Sequence, residues 1–157
     1  MDVLLWLEET ALAVWLRESV SVWALPTVLT LHTMGMAVLV GSSWVLDLRL
    51  LGISRHVPLS AFRWLFGAMA AGFIVNLATG VLLFVQRATV WGTSIPFLVK
   101  MCLVVAGVVT IVLIRPHVLH DGEEPRGSGG TARLLAVASI LVWSAAVTAG
   151  RLLAYVF

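Results

Sequence analysis

The sequence has few charged residues and almost no cysteine. Only 11% of its 157 residues are charged, whereas an average soluble domain has about 25%. Its one cysteine, Cys102, excludes an internal disulfide and a CxxC metal site. The formal net charge is +2 and the basic residues are scattered, so the composition does not favour a nucleic-acid partner. The sequence also lacks a P-loop and an HExxH motif.

Apolar residues are correspondingly frequent. They make up 61% of the chain, and the mean hydropathy is +1.04. A soluble domain of this length could not bury that much apolar surface, because its few polar residues would not cover it. The surplus must face lipid or a partner protein.

Long stretches without formal charge predict four membrane spans. Asp, Glu, Lys and Arg are absent from 19–46 and 64–86, Lys100 alone interrupts 88–114, and Arg151 alone interrupts 134–157. Each stretch can supply the roughly 20 apolar residues that a spanning helix needs, and none alternates as a barrel strand would. The sequence therefore predicts an all-α, integral membrane four-helix bundle over residues 19–157. The predicted spans are 20–46, 64–86, 96–114 and 134–156.

The first 18 residues have a different pattern. Acidic and basic residues punctuate an apolar series that has helical spacing, which predicts an amphipathic helix over 1–18. Such a helix would lie in the membrane interface. A helix packed outside the membrane is the alternative.

Basic residues in the loops predict the orientation. Arginines cluster in the loop after the first span and in the loop after the third. Because basic loops stay in the cytoplasm, we expect both termini on the outer side. The second of these loops, 120–130, is rich in turn formers and is predicted to be a flexible linker. Small-residue pairs such as Gly67 with Ala71 and Ala68 with Gly72 predict close helix packing.

Five polar side chains lie inside the predicted spans at similar depths. They are His32, Asn76, Thr79, Lys100 and Arg151, and together they place a polar group from each span in one half of the bundle. Ionisable groups in a membrane are costly, so they usually face the bundle interior and have a function.

A b-type haem would use this arrangement. Its iron needs an imidazole, for which His32 is the candidate, and Asn76 and Thr79 could orient that ring or a propionate. Its propionates need cations, for which Lys100 and Arg151 are the candidates. We also place Gly35 in the predicted cofactor slot, one turn beyond His32. The alternative is purely structural: the histidine bonds a neighbouring helix and the cations reach the interface.

Copper is a minor alternative. His32 and Met36 are four residues apart and share a helix face, and imidazole with thioether suits copper(I). A closed site would need a third ligand, for which Met101 and Cys102 are candidates.

The carboxylates lie outside the predicted spans, which argues against proton transfer through a carboxylate relay. Asp47 comes just after the first span. We expect it to pair with another helix end, for example with Arg63.

Several strings resemble a family of uncharacterised bacterial multi-pass proteins. They lie within residues 20–157: 23–26 (WALP), 31–35 (LHTMG), 47–52 (DLRLLG), 79–84 (TGVLLF), 97–101 (FLVKM) and 149–155 (AGRLLAY). The chain is more distantly similar to HemJ-type protoporphyrinogen oxidases and to the membrane domains of copper-resistance D proteins. The HemJ-type proteins bind haem b and have a His early in the first span and a Lys opening a later one. His32 and Lys100 lie at matching places, so the resemblance implies a haem-binding redox role in a bacterial inner membrane.

The sequence therefore favours a cytochrome b-like electron-transfer protein, with a quinone or another membrane or periplasmic redox protein as its partner. It could be a component of a membrane oxidoreductase and could form a homo- or hetero-oligomer. The first rival is a non-catalytic subunit or assembly factor of a larger membrane complex. Copper handling is the second.

Overall fold

The computed structural model describes residues 2–21, 23–119 and 128–156, and this part of the chain is helical without β-strands. The predicted all-α class is confirmed. The helices are α1 (Asp2–Glu8), α2 (Ala11–Glu18), α3 (Leu25–Leu51), α4 (Leu65–Val85), α5 (Ala88–Gly92), α6 (Ile95–Leu119) and α7 (Ser128–Val156), and a short 3-10 helix (Leu59–Phe62) precedes α4.

Four of these helices are long and apolar enough to cross a membrane. The most apolar windows of α3, α4, α6 and α7 have mean hydropathies between 1.4 and 2.8, and only 17–28% of their residues are buried within the protein. Most of their apolar surface therefore faces outward. In water this exposure would be unfavourable, whereas in lipid it carries no penalty. The chain is a multi-pass membrane protein.

The bounds of α3 follow from two residues. Pro26 lies in its first turn, where a proline needs no N–H partner and its fixed φ favours the helix. Gly52 follows its last residue with φ 111°, and the N–H groups of Gly52 and Ile53 donate to the carbonyls of Arg49 and Leu48. This is a Schellman motif, which only glycine adopts without strain. The helix therefore occupies 25–51, compared with the predicted 20–46.

The last turn of α6 contains a proline. Pro116 cannot donate to the Val112 carbonyl, yet α6 continues to Leu119, beyond the predicted end at 114. His117 Nδ1 lies 3.1 Å from the carbonyl of Leu113 in this turn. Most of the predicted linker, 120–127, lies outside the described residues, and 128–130 belong to α7.

The bundle packs in the order α4, α3, α7, α6, since α3 contacts α4 and α7, and α7 contacts α6. A Cβ on Gly72 of α4 would lie 2.8 Å from both the carbonyl oxygen of Gly35 and the amide nitrogen of Leu39 on α3. The α3 and α4 backbones therefore touch at these glycines, as predicted for Gly72. A Cβ on Gly67 would meet nothing within 4 Å, so this member of the other predicted pair does not serve a helix contact. On the other side of the bundle, the fully buried indole of Trp143 lies over Gly107 of α6.

The N-terminal segment forms two short helices where the sequence predicted one. Thr10 has an extended conformation between α1 and α2, and its hydroxyl donates to the carbonyl of Leu7 at 2.7 Å. This local bond competes with helix continuation. Trp6 and Trp15 are exposed on this segment. Its placement in the membrane interface stays a prediction.

The first N-terminal helix is fixed to α5 by a carboxylate. Glu8 Oε1 accepts hydrogen bonds from the backbone N–H of Thr89 at 2.9 Å and from its hydroxyl at 2.7 Å. Leu4 adds an apolar contact with Gly92. These contacts hold α1 at the end of the bundle where α3 begins and α4 ends.

Candidate functional site

An imidazole–hydroxyl contact joins α3 to α4. His32 Nδ1 lies 3.0 Å from Thr79 Oγ1. The Thr79 hydroxyl is 2.6 Å from the carbonyl oxygen of Val75 and 3.2 Å from that of Asn76, so its single proton goes to Val75. The Thr79 oxygen then accepts a hydrogen bond from His32, which assigns the proton of the neutral imidazole to Nδ1. The lone pair is on Nε2, and no described residue bonds that atom.

Further contacts fix the position of this histidine. The side-chain amide of Asn76 donates to the backbone carbonyl of His32 at 2.9 Å. A Cβ on Gly80 would lie 3.3 Å from His32 Cε1, so the ring rests against the backbone of α4. Thr79 itself is only 6% exposed. Thr79 thus contacts the imidazole of His32 and Asn76 its backbone, and their role in orienting a cofactor ligand stays a prediction.

The glycine contact between α3 and α4 brings these groups together. Gly35 is one turn from His32 on α3, and Gly72 is one turn from Asn76 on α4. A Cβ on Gly35 would lie 3.0 Å from the backbone amide nitrogen of Asn76. Gly35, which the sequence placed in a cofactor slot, therefore lies against the α4 backbone and sets the distance across which His32 and Thr79 meet.

A lysine from the other side of the bundle approaches the same place. The side chain of Lys100 on α6 lies against Gly150 of α7, since a Cβ there would be 3.4 Å from its Cε and 3.5 Å from its Nζ. The Lys100 side chain lies within electrostatic range of the His32 imidazole. Among the residues that the structure describes, no carboxylate pairs with Lys100. The cation is therefore available to an anionic ligand.

Arg151 differs from the other predicted residues in its exposure. It follows Gly150 on α7 and its side chain is exposed, whereas His32 and Lys100 are half-buried. The structure thus brings His32, Asn76, Thr79 and Lys100 into one region, whereas for Arg151 it gives an exposed position next to Gly150 in the chain.

A family model matches residues 4–156, almost the whole chain. The chain belongs to DUF6644, a family of unknown function. No curated protein and no solved structure matches it. The resemblance to an uncharacterised family is confirmed, and the comparisons add no support to the more distant likeness to HemJ-type oxidases or copper-resistance D domains.

The candidate copper ligands of this DUF6644 protein lie in different environments. Met36 packs against the hydrophobic core, whereas Met101 is 41% exposed and Cys102 is also exposed. Over the ranges 2–21, 23–119 and 128–156, no group of three His, Cys, Asp or Glu side chains is placed to hold a metal ion. Haem ligation through a single imidazole does not require such a group.

The sequence analysis did not predict one buried polar cluster. Asp47 lies within α3 and is 0% exposed, so the expectation that every carboxylate lies outside the spans is wrong. The expected pairing with Arg63 is also wrong. Asp47 Oδ2 accepts from Ser43, and Arg63 donates to the carbonyl of Leu119. The four-residue spacing of Ser43 and Asp47 was the available signal, because it puts both side chains on one helix face.

Proposed function

We propose that this DUF6644 protein binds haem b and has an electron-transfer role in the membrane. The observation that carries the proposal is the half-buried imidazole of His32, which Thr79 orients through Nδ1 while Nε2 keeps its lone pair. Haem-ligating and metal-ligating histidines have this form, with one nitrogen for the metal and the other held by a partner. The described residues thus fit the single-imidazole requirement of a b-type haem.

The half-buried Lys100 supports the same proposal. A cation that no described carboxylate neutralises, placed near an imidazole inside an apolar bundle, suits an anionic group such as a haem propionate. Arg151, exposed one residue after Gly150, would hold the second propionate nearer to water. When bound, the haem iron would supply a reversible one-electron change. The chain's own part is to ligate, to neutralise the propionates and to exclude water.

The rest of the proposal concerns partners and placement. Met36 packs against the core, so we do not assign it as a second axial ligand. A second axial ligand supplied by another subunit would make the protein an oligomer. A quinone or a periplasmic redox protein would exchange electrons with it. The arginines of the loops after α3 and α6 support a bacterial inner membrane location with both termini in the periplasm. The likeness of His32 and Lys100 to the His and Lys of HemJ-type proteins agrees with haem binding and carries no claim of oxidase activity.

The test is the visible spectrum of the purified full-length protein, oxidised and then reduced with dithionite. We expect a Soret band and sharpened reduced bands in the wild type, and loss of both in His32→Ala. The matched control is His56→Ala, since His56 is exposed outside the long helices. A normal Soret band in His32→Ala would refute the ligand assignment. A colourless wild-type protein that purifies only with partners would favour a subunit or assembly factor, and bound copper in a metal analysis would favour copper handling.

A further inference from the structure

A second ionisable group is buried toward the opposite end of α3 from His32. Asp47 is 0% exposed and lies four residues before the end of the helix at Leu51, about 6 Å along its axis. Its neighbours are two fully or almost fully buried hydroxyls, Ser43 on the same helix and Ser139 on α7. The carboxylate is therefore enclosed by the bundle while remaining one helical turn from its end.

The charge of Asp47 has no partner among the described residues. No described lysine or arginine forms an ion pair with it, and its Oδ1 atom is buried without a hydrogen bond. Two of the arginines at this end bond backbone instead: Arg49 donates to the carbonyls of Val57 and Arg55 at 2.9 and 3.1 Å, and Arg63 donates to the carbonyl of Leu119. Because an uncompensated buried carboxylate is costly, a positive charge from outside the chain would stabilise it.

The donor set indicates what kind of charge fits. Ser43 Oγ donates to Asp47 Oδ2 at 3.4 Å and lies 3.2 Å from Ser139 Oγ, so one carboxylate and two hydroxyl oxygens lie together in the bundle. Hard cations take oxygen ligands of this kind. The single charge of sodium matches the single carboxylate.

We propose that Asp47, Ser43 and Ser139 form a binding site for sodium near the C-terminal end of α3. Sodium can use the carboxylate and both hydroxyl oxygens as ligands, whereas a proton needs the carboxylate alone, so a proton is the competing outcome of the test. The site is separate from the His32 region, and the inference does not rest on haem binding.

The first arm of the test measures thermal unfolding of the full-length protein in sodium chloride and in choline chloride at equal ionic strength. We expect sodium to raise the Tm of the wild type with a saturating dependence on its concentration, and to leave the Tm of Asp47→Asn unchanged. Asp2→Asn is the matched control, because Asp2 is exposed, and it should respond as the wild type does. Ser139→Ala keeps the charge and loses one ligand, so it should need about tenfold more sodium for the same stabilisation.

The second arm tests whether Asp47 carries a proton. An infrared carboxylic-acid C=O band that is present in choline chloride, lost in Asp47→Asn and removed by sodium would show that sodium displaces a proton from Asp47. An acid band that persists in sodium chloride, or the absence of a sodium-specific Tm shift, would overturn the proposal. If Asp47→Asn fails to fold, the sodium dependence of Ser139→Ala decides the first arm, and a sodium response identical to that of the wild type would count against the site.

Discussion

Replacing Gly72 by alanine tests whether the contact between α3 and α4 positions the histidine. The added Cβ would lie 2.8 Å from the Gly35 carbonyl oxygen and from the Leu39 amide nitrogen, both backbone atoms that cannot rotate away. Favourable non-bonded separations are about 3.5–4.0 Å. The two helices must therefore move apart by several tenths of an ångström along this contact.

The size of the effect can be isolated with a second alanine in the same helix. Gly67 also lies in α4, and a Cβ there meets nothing within 4 Å. Each substitution gains helix propensity, up to about 1 kcal/mol, so the difference between them reports the steric term. Overpacking of this kind costs about 1–3 kcal/mol. Gly72→Ala should therefore be less stable than Gly67→Ala by about 1–3 kcal/mol.

The assay is thermal or denaturant unfolding of both variants in the same detergent, followed by the visible spectrum that tests for the proposed haem. Since His32 on α3 reaches Thr79 on α4 across 3.0 Å, separation of the helices should also weaken that bond. Equal stability of Gly72→Ala and Gly67→Ala would show that α3 and α4 do not touch at this glycine. Normal cofactor retention in a destabilised Gly72→Ala would show that the site does not depend on this contact.

Two further predictions concern single side chains. Thr79→Val should weaken haem retention about 10–100-fold, because it removes the acceptor that orients His32, and haem titration of the apoprotein beside Thr33→Val would measure this. An affinity equal to that of the control would exclude the orienting role. Hydrogen bonds from the Thr89 hydroxyl and then its amide hold the pKa of Glu8 below its usual 4.5, so the docking of α1 on α5 is fully stabilised above that value and weakens as pH falls through the lowered pKa. The protection of the α1 amides against hydrogen exchange, corrected for the intrinsic rate at each pH, should fall at low pH, and the same fall in Glu8→Gln would contradict the assignment.

The class of fold could be predicted because it depends on composition. Stretches without charge and long enough to span a bilayer leave the backbone only the helix as a solution. The ends of the helices were harder to predict, because they depend on single residues. Gly52 ends α3 after Leu51 through a Schellman motif, five residues beyond the predicted end. Pro116 removes one hydrogen bond from α6 and does not end that helix.

The candidate site was predictable in its depth and not in its detail. Spacing along the chain placed His32, Asn76, Thr79 and Lys100 at one level of the bundle, and the structure brings them close. The spacing of Ser43 and Asp47 puts both on one helix face, but the residue that covers this face could not be predicted, because Ser139 is far away in sequence and meets Ser43 only through the packing of α7 on α3.

The tethered N-terminal helices make the two ends of the bundle unequal. The hydrogen bonds that Glu8 accepts from Thr89 keep α1 close to the end at which α3 begins, so the N-terminal helices cover part of the end of the bundle that is nearer His32. Displacing α1 would therefore uncover the connection between α4 and α6 and open this end of the bundle.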